Sequence, residues 1–182
     1  MSRKRGQDAS SSSGPGPIPH RWLNCPRKAS SLIGDDKFIA FKVPLDAKFD
    51  SQVGDEYIFN PQMMFSTTKT MKKKLGLWID LTNTTRYYDR AFVEKMDCKY
   101  IKLTCRGHGE TPTADIVDLF IKVCSQFIQQ NPLHIIGVHC THGFNRTGFL
   151  IVSYLVRELD WSVEAAVAEF AKIRYKHPAI ID

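Results

Sequence analysis

The stretch "HIIGVHCTHGFNRTG", residues 134–148, decides the fold that we expect for this chain. It begins with a short apolar run, "HIIGV", which is typical of a buried strand. Cys140 follows this run closely, a glycine-containing loop comes next, and Arg146 opens a strongly apolar segment of helical character. A strand, a tight loop and a helix in this order predict one unit of an α/β sheet, with a ligand site beyond the carboxyl end of the strand.

The flanking sequence repeats this alternation of strands and helices. Apolar or alternating runs predict further strands at residues 38–45, 75–82 and 100–105. Cap and turn residues predict helices over residues 61–74, from the cap Thr111 and Pro112 to residue 130, from Arg146 onward, and after the cap Ser162. The fold class is therefore α/β, with a central, mostly parallel sheet and helices on both faces.

Helical spacing of apolar residues predicts the buried faces of two of these helices. The predicted faces consist of Ile116, Leu119, Phe120, Val123 and Phe127 in the helix after Pro112, and of Val163, Ala166, Val167 and Phe170 in the last helix. Both faces should pack against neighbouring elements of the core.

Composition predicts one domain with a polar tail. The chain has 182 residues, of which 43% are hydrophobic, which is enough for a core of its own. Residues 1–17 are polar and rich in Ser, Gly and Pro, so we expect a disordered basic tail before a domain over residues 18–182. The net charge of +6 fits either a solvated basic face or an anionic partner such as nucleic acid, and "RKR" near the start fits either a solubilising tail or a nuclear import signal.

The five cysteines exclude several classes of protein. Their number is odd and no C-x-x-C pair occurs, which argues against a disulfide framework or a zinc site and for reduced thiols in the cytosol or nucleus. No run of about 20 apolar residues occurs, so we expect no membrane span. The N-terminus also lacks the apolar core of a signal peptide.

The loop after the strand has the residues that thiolate chemistry on phosphate requires. Backbone N–H groups of a loop that leads into a helix form an anion cradle, and the glycine Gly143 allows the tight bend. The planar guanidinium of Arg146 matches two phosphoryl oxygens, and positive surroundings favour the thiolate of Cys140 as nucleophile. Thr147 is placed to donate a hydrogen bond to the sulfur. The alternative is a buried structural thiol and a surface arginine, but the strand, the glycine and the helix together favour catalysis.

The two histidines of the loop have less specific interpretations. Their spacing suits no standard metal site, and no carboxylate accompanies them. We expect His139 to orient the loop through hydrogen bonds. His142 either faces the ligand or fills space, and the sequence leaves both roles open.

A family resemblance rests on the loop and on four further stretches. "HCTHGFNRTG" matches the cysteine-phosphatase pattern H-C-x5-R-[ST]-G, and "THGFN" within it resembles the RNA 5′-triphosphatase domain of animal mRNA-capping enzymes and the related RNA/RNP phosphatases. The other matching stretches are "IPHRWLNCPRK", "IDLTNTTRYYDR", "YIKLTCRGHGETPT" and "LDWSVEAAVAEFA". The resemblance covers residues 18–171 and implies a cysteine-phosphatase-like fold.

The resemblance also implies an activity, which is removal of the γ-phosphate of nascent mRNA through a phosphocysteine intermediate, the first step of cap formation. It implies no metal and no cofactor, a nuclear location, and as partners 5′-triphosphate RNA, the transcription machinery and a guanylyltransferase. Its implied site consists of catalytic Cys140 and Arg146, phosphate-binding Thr141, His142, Gly143, Phe144, Asn145 and Thr147, and loop-supporting His139.

The segment "CRGHGETPT", residues 105–113, bears on the substrate class. A phosphotyrosine enzyme needs a general acid because its phenoxide leaving group has a pKa of about 10. This segment has Glu110 but no aspartate before Asp115. An RNA diphosphate, with a terminal pKa of roughly 6, leaves without such help. Glu110 is either catalytic or a cap of the following helix. Arg106 is either an exposed charge or a contact to phosphate or RNA, and it is the basic residue best placed for such a contact.

Other residues have two interpretations each. Arg86 and Arg90 are either phosphate contacts or exposed charges, and Tyr87 and Tyr88 either stack on a base or pack in the core.

The likeness to capping enzymes weakens after Ala171, and no K-x-D-G motif for guanylyl transfer occurs. We therefore expect a domain that is shorter at its C-terminus than the family. Two alternatives to the triphosphatase remain at this point: a broader RNA or protein phosphatase of the same superfamily, and a truncated, inactive module that only binds RNA ends.

Overall fold

A computed structural model describes residues 13–175 of the chain. The expected disordered tail lies mainly outside the described residues, as do the "RKR" segment and residues 176–182. Among residues 13–175, no helix is both long enough and apolar enough to cross a membrane.

Four parallel strands form the centre of the structure. They are β1 (Phe38–Lys42), β2 (Lys74–Asp80), β3 (Lys99–Lys102) and β4 (His134–Cys140), and they lie in the order β1-β4-β2-β3. All three strand pairs are parallel, which confirms the predicted sheet. The helices are α1 (Pro61–Thr70), α2 (Arg90–Lys95), α3 (Ala114–Gln130), α4 (Asn145–Glu158) and α5 (Val163–Tyr175), with short 3-10 turns at Trp22–Asn24, Ala47–Gln52 and Asp55–Tyr57.

Alternating strand residues divide the core into two clusters, one on each face of the sheet. Leu77 and Ile79 of β2 face a cluster that α3, α4 and α5 cover. Leu75 and Trp78 of the same strand face the opposite cluster, which contains residues of α1, of α2 and of the N-terminal segment. Since both faces are covered, β1, β2 and β4 consist of nearly continuous apolar runs, whereas β3 at the edge is only partly buried.

Two predicted helix boundaries were wrong. α1 ends at Thr70 because Lys72 adopts a left-handed backbone conformation, φ 56°, which stops a helix. α3 begins at Ala114, and its cap is Thr113, whose hydroxyl accepts a hydrogen bond from the Ile116 amide. Thr111 and Pro112 precede the helix, since the fixed φ of proline suits an extended segment as well as a first helical turn.

The predicted helix faces were only partly right. Phe120 and Phe127 of α3 and Ala166 and Phe170 of α5 are buried as expected, but Leu119, Val163 and Val167 are among the exposed hydrophobic side chains. The buried stripe of α5 continues instead through Ile173 and Arg174.

The carboxyl ends of the strands bring polar side chains to one edge of the sheet. The register places Lys42 at the end of β1 beside Cys140 at the end of β4. It also places Asp80 of β2 between His139 of β4 and Lys102 of β3. This edge is where the sequence predicts the site.

Candidate active site

The loop between β4 and α4 bends at Gly143, which has a φ of 74°. A Cβ atom at this position would lie 2.3 Å from the carbonyl oxygen of Phe41, and real Cβ atoms essentially never approach another atom closer than 3.0 Å. The backbone conformation and the close approach to β1 therefore both require glycine.

Cys140 lies at the floor of this loop, at the end of β4, and is only 3% exposed. Thr147, in the first turn of α4, is fully buried, and its hydroxyl has no hydrogen-bond partner among the described residues. The hydrogen bond from Thr147 to the Cys140 sulfur that we expected is thus not formed here.

Arg146 lies in the first turn of α4, and its guanidinium contacts the loop and two neighbouring segments. Its Nη2 atom donates to the Thr141 hydroxyl at 2.9 Å, and its Nη1 atom donates to the carbonyl oxygens of Leu81 at 3.3 Å and Cys105 at 3.1 Å. A Cβ atom at Gly107 would lie 3.7 Å from the guanidinium carbon. Arg146 therefore connects the loop to the end of β2 and to the segment of residues 105–113, which borders the loop as the sequence suggested.

A chain of hydrogen bonds fixes His139 behind the loop. The indole N–H of Trp78 donates to the Tyr88 hydroxyl at 2.8 Å, and this hydroxyl lies 2.7 Å from His139 Nε2. His139 Nδ1 lies 3.0 Å from the carbonyl oxygen of Cys140. We assign the tautomer in which Tyr88 donates to Nε2 and Nδ1–H donates to that carbonyl. Burial lowers the pKa of His139, which fits a neutral ring.

Asp80 is a second buried group at this edge, and it is ionised. Burial by itself would raise its pKa, but the groups around it lower the pKa to about 2. Since His139 is neutral, the lowering comes from the hydrogen bonds of Thr82 and Tyr100 and from the charge of Lys102. The hydroxyls of Thr82 and Tyr100 donate to the carboxylate at 2.7 and 2.6 Å, and the Lys102 ammonium donates at 3.0 Å.

Several side chains of the loop contact protein instead of facing its interior. His142 Nε2 lies 2.6 Å from the carbonyl oxygen of His20 in the N-terminal segment. The ring of Phe144 stacks on Tyr175 with the ring centroids 4.6 Å apart. Asn145 is exposed at the start of α4. These three residues can contribute backbone amides to an anion cradle, while two of the side chains are occupied elsewhere.

The outer candidate residues divide into two groups. Arg106 and Glu110 are exposed, and Glu110 does not cap α3, since Thr113 does. Arg86 is not free for RNA, because its guanidinium donates to the carbonyl oxygens of Pro15 and Pro17.

The other three candidates for RNA contact, Arg90, Tyr87 and Tyr88, also contact protein. Arg90 pairs with Glu94, and Tyr87 and Tyr88 are buried, so core packing rather than base stacking describes these tyrosines.

Sequence reasoning missed four polar residues of this region: Lys42, Asp80, Lys102 and Arg174. Asp80 and Lys102 stand at the carboxyl ends of β2 and β3, but they lie inside the strands predicted over residues 75–82 and 100–105, so the predicted boundaries did not single them out. Arg174 had no signal either, because it lies on a helix 28 residues after Arg146. Within residues 13–175, no group of three or more His, Cys, Asp or Glu side chains could hold a metal ion.

Comparison with known proteins identifies the family. Residues 57–181 match the model of the dual specificity phosphatase catalytic domain. The chain is 54% identical over 156 residues to an mRNA-capping enzyme of Danio rerio, which covers 86% of this chain and 26% of that enzyme. It is 37% identical over 165 residues to an RNA/RNP complex-1-interacting phosphatase homolog of Caenorhabditis elegans, which covers 88% of this chain and 70% of that protein.

Solved structures share the fold at low sequence identity. The crystal structure of Tk-PTP in the active form has a TM-score of 0.57 at 13% identity and covers 81% of this chain and 84% of that one. PTPMT1 has a TM-score of 0.56 at 17% identity and covers 76% of this chain and 79% of that one. The chain spans about a quarter of the length of the capping enzyme that it matches, at 26%. The parallel sheet, the loop after β4 and the matching family model lead to one conclusion: the chain belongs to the family of dual specificity phosphatase catalytic domains.

Proposed function

We propose that this chain removes the γ-phosphate from 5′-triphosphate ends of RNA, with Cys140 as the nucleophile. The observation that carries the proposal is the placement of Cys140 at the start of a loop that requires glycine, with the guanidinium of Arg146 bonded to the same loop at Thr141. The chain that contains this arrangement is 54% identical to an mRNA-capping enzyme over 86% of its length. The name of that relative supports RNA as substrate.

The reaction has two balanced steps. The Cys140 thiolate attacks the γ-phosphorus in line, so that a sulfur–phosphorus bond forms while the bond to the bridging oxygen breaks and RNA diphosphate leaves. Water then attacks the phosphocysteine, which releases inorganic phosphate and restores the thiolate. The backbone amides of residues 141–146 and the Arg146 guanidinium stabilise the charge on the phosphoryl oxygens in both steps. Arg146 reaches substrate by exchanging its carbonyl partners for phosphoryl oxygens.

The acids near the loop favour an anhydride over a phosphotyrosine. Asp80 is a buried carboxyl close to the loop, but its pKa of about 2 keeps it ionised, and it is occupied as an acceptor. Glu110 is exposed in the segment beside Arg146. A substrate whose leaving group needs no proton suits such a site.

The likeness to the RNA/RNP complex-1-interacting phosphatase homolog, of which this chain covers 70%, favours one second candidate. In this alternative the chain acts more broadly, on other phosphorylated RNA ends or on phosphoproteins. The transcription machinery, a guanylyltransferase and a nuclear location follow from the first candidate and are part of that proposal.

The experiment compares two substrates for one chain. RNA with a labelled γ-phosphate and a phosphotyrosine peptide are incubated separately with the protein in the presence of a metal chelator. We expect phosphate release from the RNA only, and loss of release in Cys140→Ser. The matched control is Cys98→Ser, which changes another buried thiol, next to the start of β3, and should retain release. Release from the peptide alone would reject the triphosphatase in favour of a protein phosphatase, and tight RNA binding without turnover would reject both.

A further inference from the structure

Arg174, near the end of α5, is fully buried and contacts the loop between β4 and α4, residues 141–144, which we call the catalytic loop. Its Nε atom donates to the carbonyl oxygen of Gly143 at 2.8 Å, and its Nη2 atom donates to the carbonyl oxygens of His142 at 2.8 Å and Pro26 at 2.9 Å. The guanidinium carbon lies 4.3 Å from the ring centroid of Phe144. One side chain therefore connects the last helix, the N-terminal segment and the loop.

The geometry of the peptide bond gives these contacts a consequence for the cradle. In a trans peptide the N–H group points opposite to the carbonyl of the same peptide unit, and no cis bond occurs in the described residues. The carbonyls of His142 and Gly143 belong to the peptide units that carry the amides of Gly143 and Phe144. When Arg174 holds both carbonyls on its own side, it directs both amides to the opposite side of the loop.

The charge of Arg174 has no carboxylate partner among the described residues. Lys42, its buried neighbour at the end of β1, donates to the carbonyl oxygens of Trp22 and Cys25, each at 2.9 Å, and also forms no ion pair there. Burial lowers the pKa of Lys42 to about 8 and that of Arg174 to about 10, so that Arg174 stays charged at neutral pH. Two buried cations without a carboxylate are unfavourable unless an anion lies near them, and Lys42 stands beside Cys140 in the register of β1 and β4.

One guanidinium nitrogen of Arg174 supports a role beyond packing. Its Nη1 atom is buried and has no hydrogen-bond partner within residues 13–175. An apolar side chain of similar volume would avoid this cost and the cost of burying the charge. In the described part of the chain, the polar contacts that the side chain makes are those to the loop and to Pro26.

We propose that Arg174 is a positioning residue of the catalytic loop, which turns the amides of Gly143 and Phe144 toward the phosphoryl group by holding the carbonyls behind them. The inference rests on the proposed function of the loop. It also assigns a role to the segment "RWLNCP", residues 21–26, which Arg174 joins to the loop through Pro26.

Two variants separate orientation from charge. Arg174→Met removes both the charge and the planar donors, whereas Arg174→Lys keeps the charge but cannot reproduce three donations from one plane. The control is Arg157→Met, the same change at an exposed site of α4 that pairs with Asp118. Each protein is assayed for tungstate binding and for the pH profile of Cys140 alkylation by iodoacetamide, at a temperature where circular dichroism finds it folded.

We expect tungstate affinity to fall at least tenfold in Arg174→Met and at least fivefold in Arg174→Lys, and to stay within twofold of wild type in Arg157→Met. The alkylation midpoint should move to higher pH in Arg174→Met only. Tungstate binding within twofold of wild type in folded Arg174→Met, or in folded Arg174→Lys if the first variant does not fold, would overturn the proposal.

Two further outcomes complete the test. If neither variant folds, Arg174 serves the core rather than the loop, and the proposal is rejected. If wild type itself fails to bind tungstate, the proposed function of the loop fails and the role of Arg174 fails with it, whereas a failure of Arg174 alone leaves wild-type binding intact.

Discussion

Gly143→Ala is the most informative single change in the loop between β4 and α4. The alanine would keep the left-handed φ of 74°, and its Cβ atom would lie 2.3 Å from the Phe41 oxygen, 2.5 Å from the Phe41 carbonyl carbon and 2.8 Å from Arg174 Nη2. Two of these three atoms belong to the backbone of β1, which supports the loop and cannot move as a side chain can.

The magnitude has two parts. A left-handed conformation costs alanine about 1–2 kcal/mol. Relief of the Phe41 contact requires a backbone shift of at least about 0.7 Å, since real Cβ contacts essentially never fall below 3.0 Å. Overpacking of this kind costs typically about 1–3 kcal/mol. The free energy of unfolding should therefore fall by about 2–5 kcal/mol, a large part of the roughly 5–15 kcal/mol that is typical of a domain.

Gly109→Ala is the matched control. Gly109 has a φ of 85°, and a Cβ atom there would meet no other atom within 4 Å. The control shares the conformational cost but not the steric clash, so it should lose only about 1–2 kcal/mol. Urea denaturation of both variants at pH 7, followed by circular dichroism, measures the difference, and phosphate release from triphosphate-ended RNA measures the effect on the loop.

We expect Gly143→Ala to lose phosphate release even under conditions where it is folded, because a shift of the loop misplaces the amides of the cradle. Equal losses of stability in the two variants, together with full activity of Gly143→Ala, would refute the reasoning. Such a result would mean that β1 and the loop move apart without cost.

Three further changes test the buried polar groups of the site. Asp80→Asn should make the stability of the fold less sensitive to acid: the folded pKa of about 2 lies below the unfolded value of about 4, so the carboxylate stabilises the fold by about 2 kcal/mol above pH 4 and loses this effect as the pH falls toward 2. Urea titrations at pH 7 and pH 3 measure this, and an equal difference in the free energy of unfolding between wild type and variant at both pH values would contradict it. Between about pH 8 and 10.5 the stability of wild type should rise, because the unfolded chain binds a proton that the folded Lys42 has lost, and Lys42→Met should flatten this rise. Guanidinium titrations across this range measure it, and an unchanged rise in the variant would exclude Lys42 as its source. Tyr88→Phe should lower kcat/KM for triphosphate-ended RNA about tenfold, because it removes the hydroxyl that donates to His139, whereas Tyr87→Phe should leave this value within twofold of wild type. Equal effects of the two substitutions would argue against the assigned chain of hydrogen bonds.

Local sequence patterns predicted the sheet and the position of the loop well, because β1, β2 and β4 are buried and therefore appear as apolar runs. Residues 134–138, for example, predicted β4 and placed Cys140 at its carboxyl end, and the structure confirms this order. The tight bend at Gly143 was also expected, and its φ of 74° agrees with it; the second reason for glycine, the Phe41 carbonyl, was not expected because only the tertiary structure brings it near.

The remaining parts of the site depend on contacts between distant segments. Arg174 and Pro26 are 148 residues apart, and the helical pattern of α5 gave no indication that its buried stripe includes a charge. Val163 and Val167 fit that pattern but are exposed, since the buried stripe of α5 runs from Ala166 and Phe170 to Ile173 and Arg174. Helical spacing shows which residues of a helix share one side, but the elements that pack against the helix determine which of these residues are buried.

The anchors of the loop explain together why its amides converge. The carbonyl of Cys140 accepts from His139 at 3.0 Å, that of Thr141 accepts from the Val43 amide at 3.1 Å, and the next two accept from Arg174 at 2.8 Å each. Four consecutive carbonyls thus have donors outside the loop, and in trans peptides the four amides of residues 141–144 point away from those donors. Under the proposed function, an anion that enters the loop meets N–H groups that are already oriented, so little reorganisation is needed when charge develops on the phosphoryl oxygens.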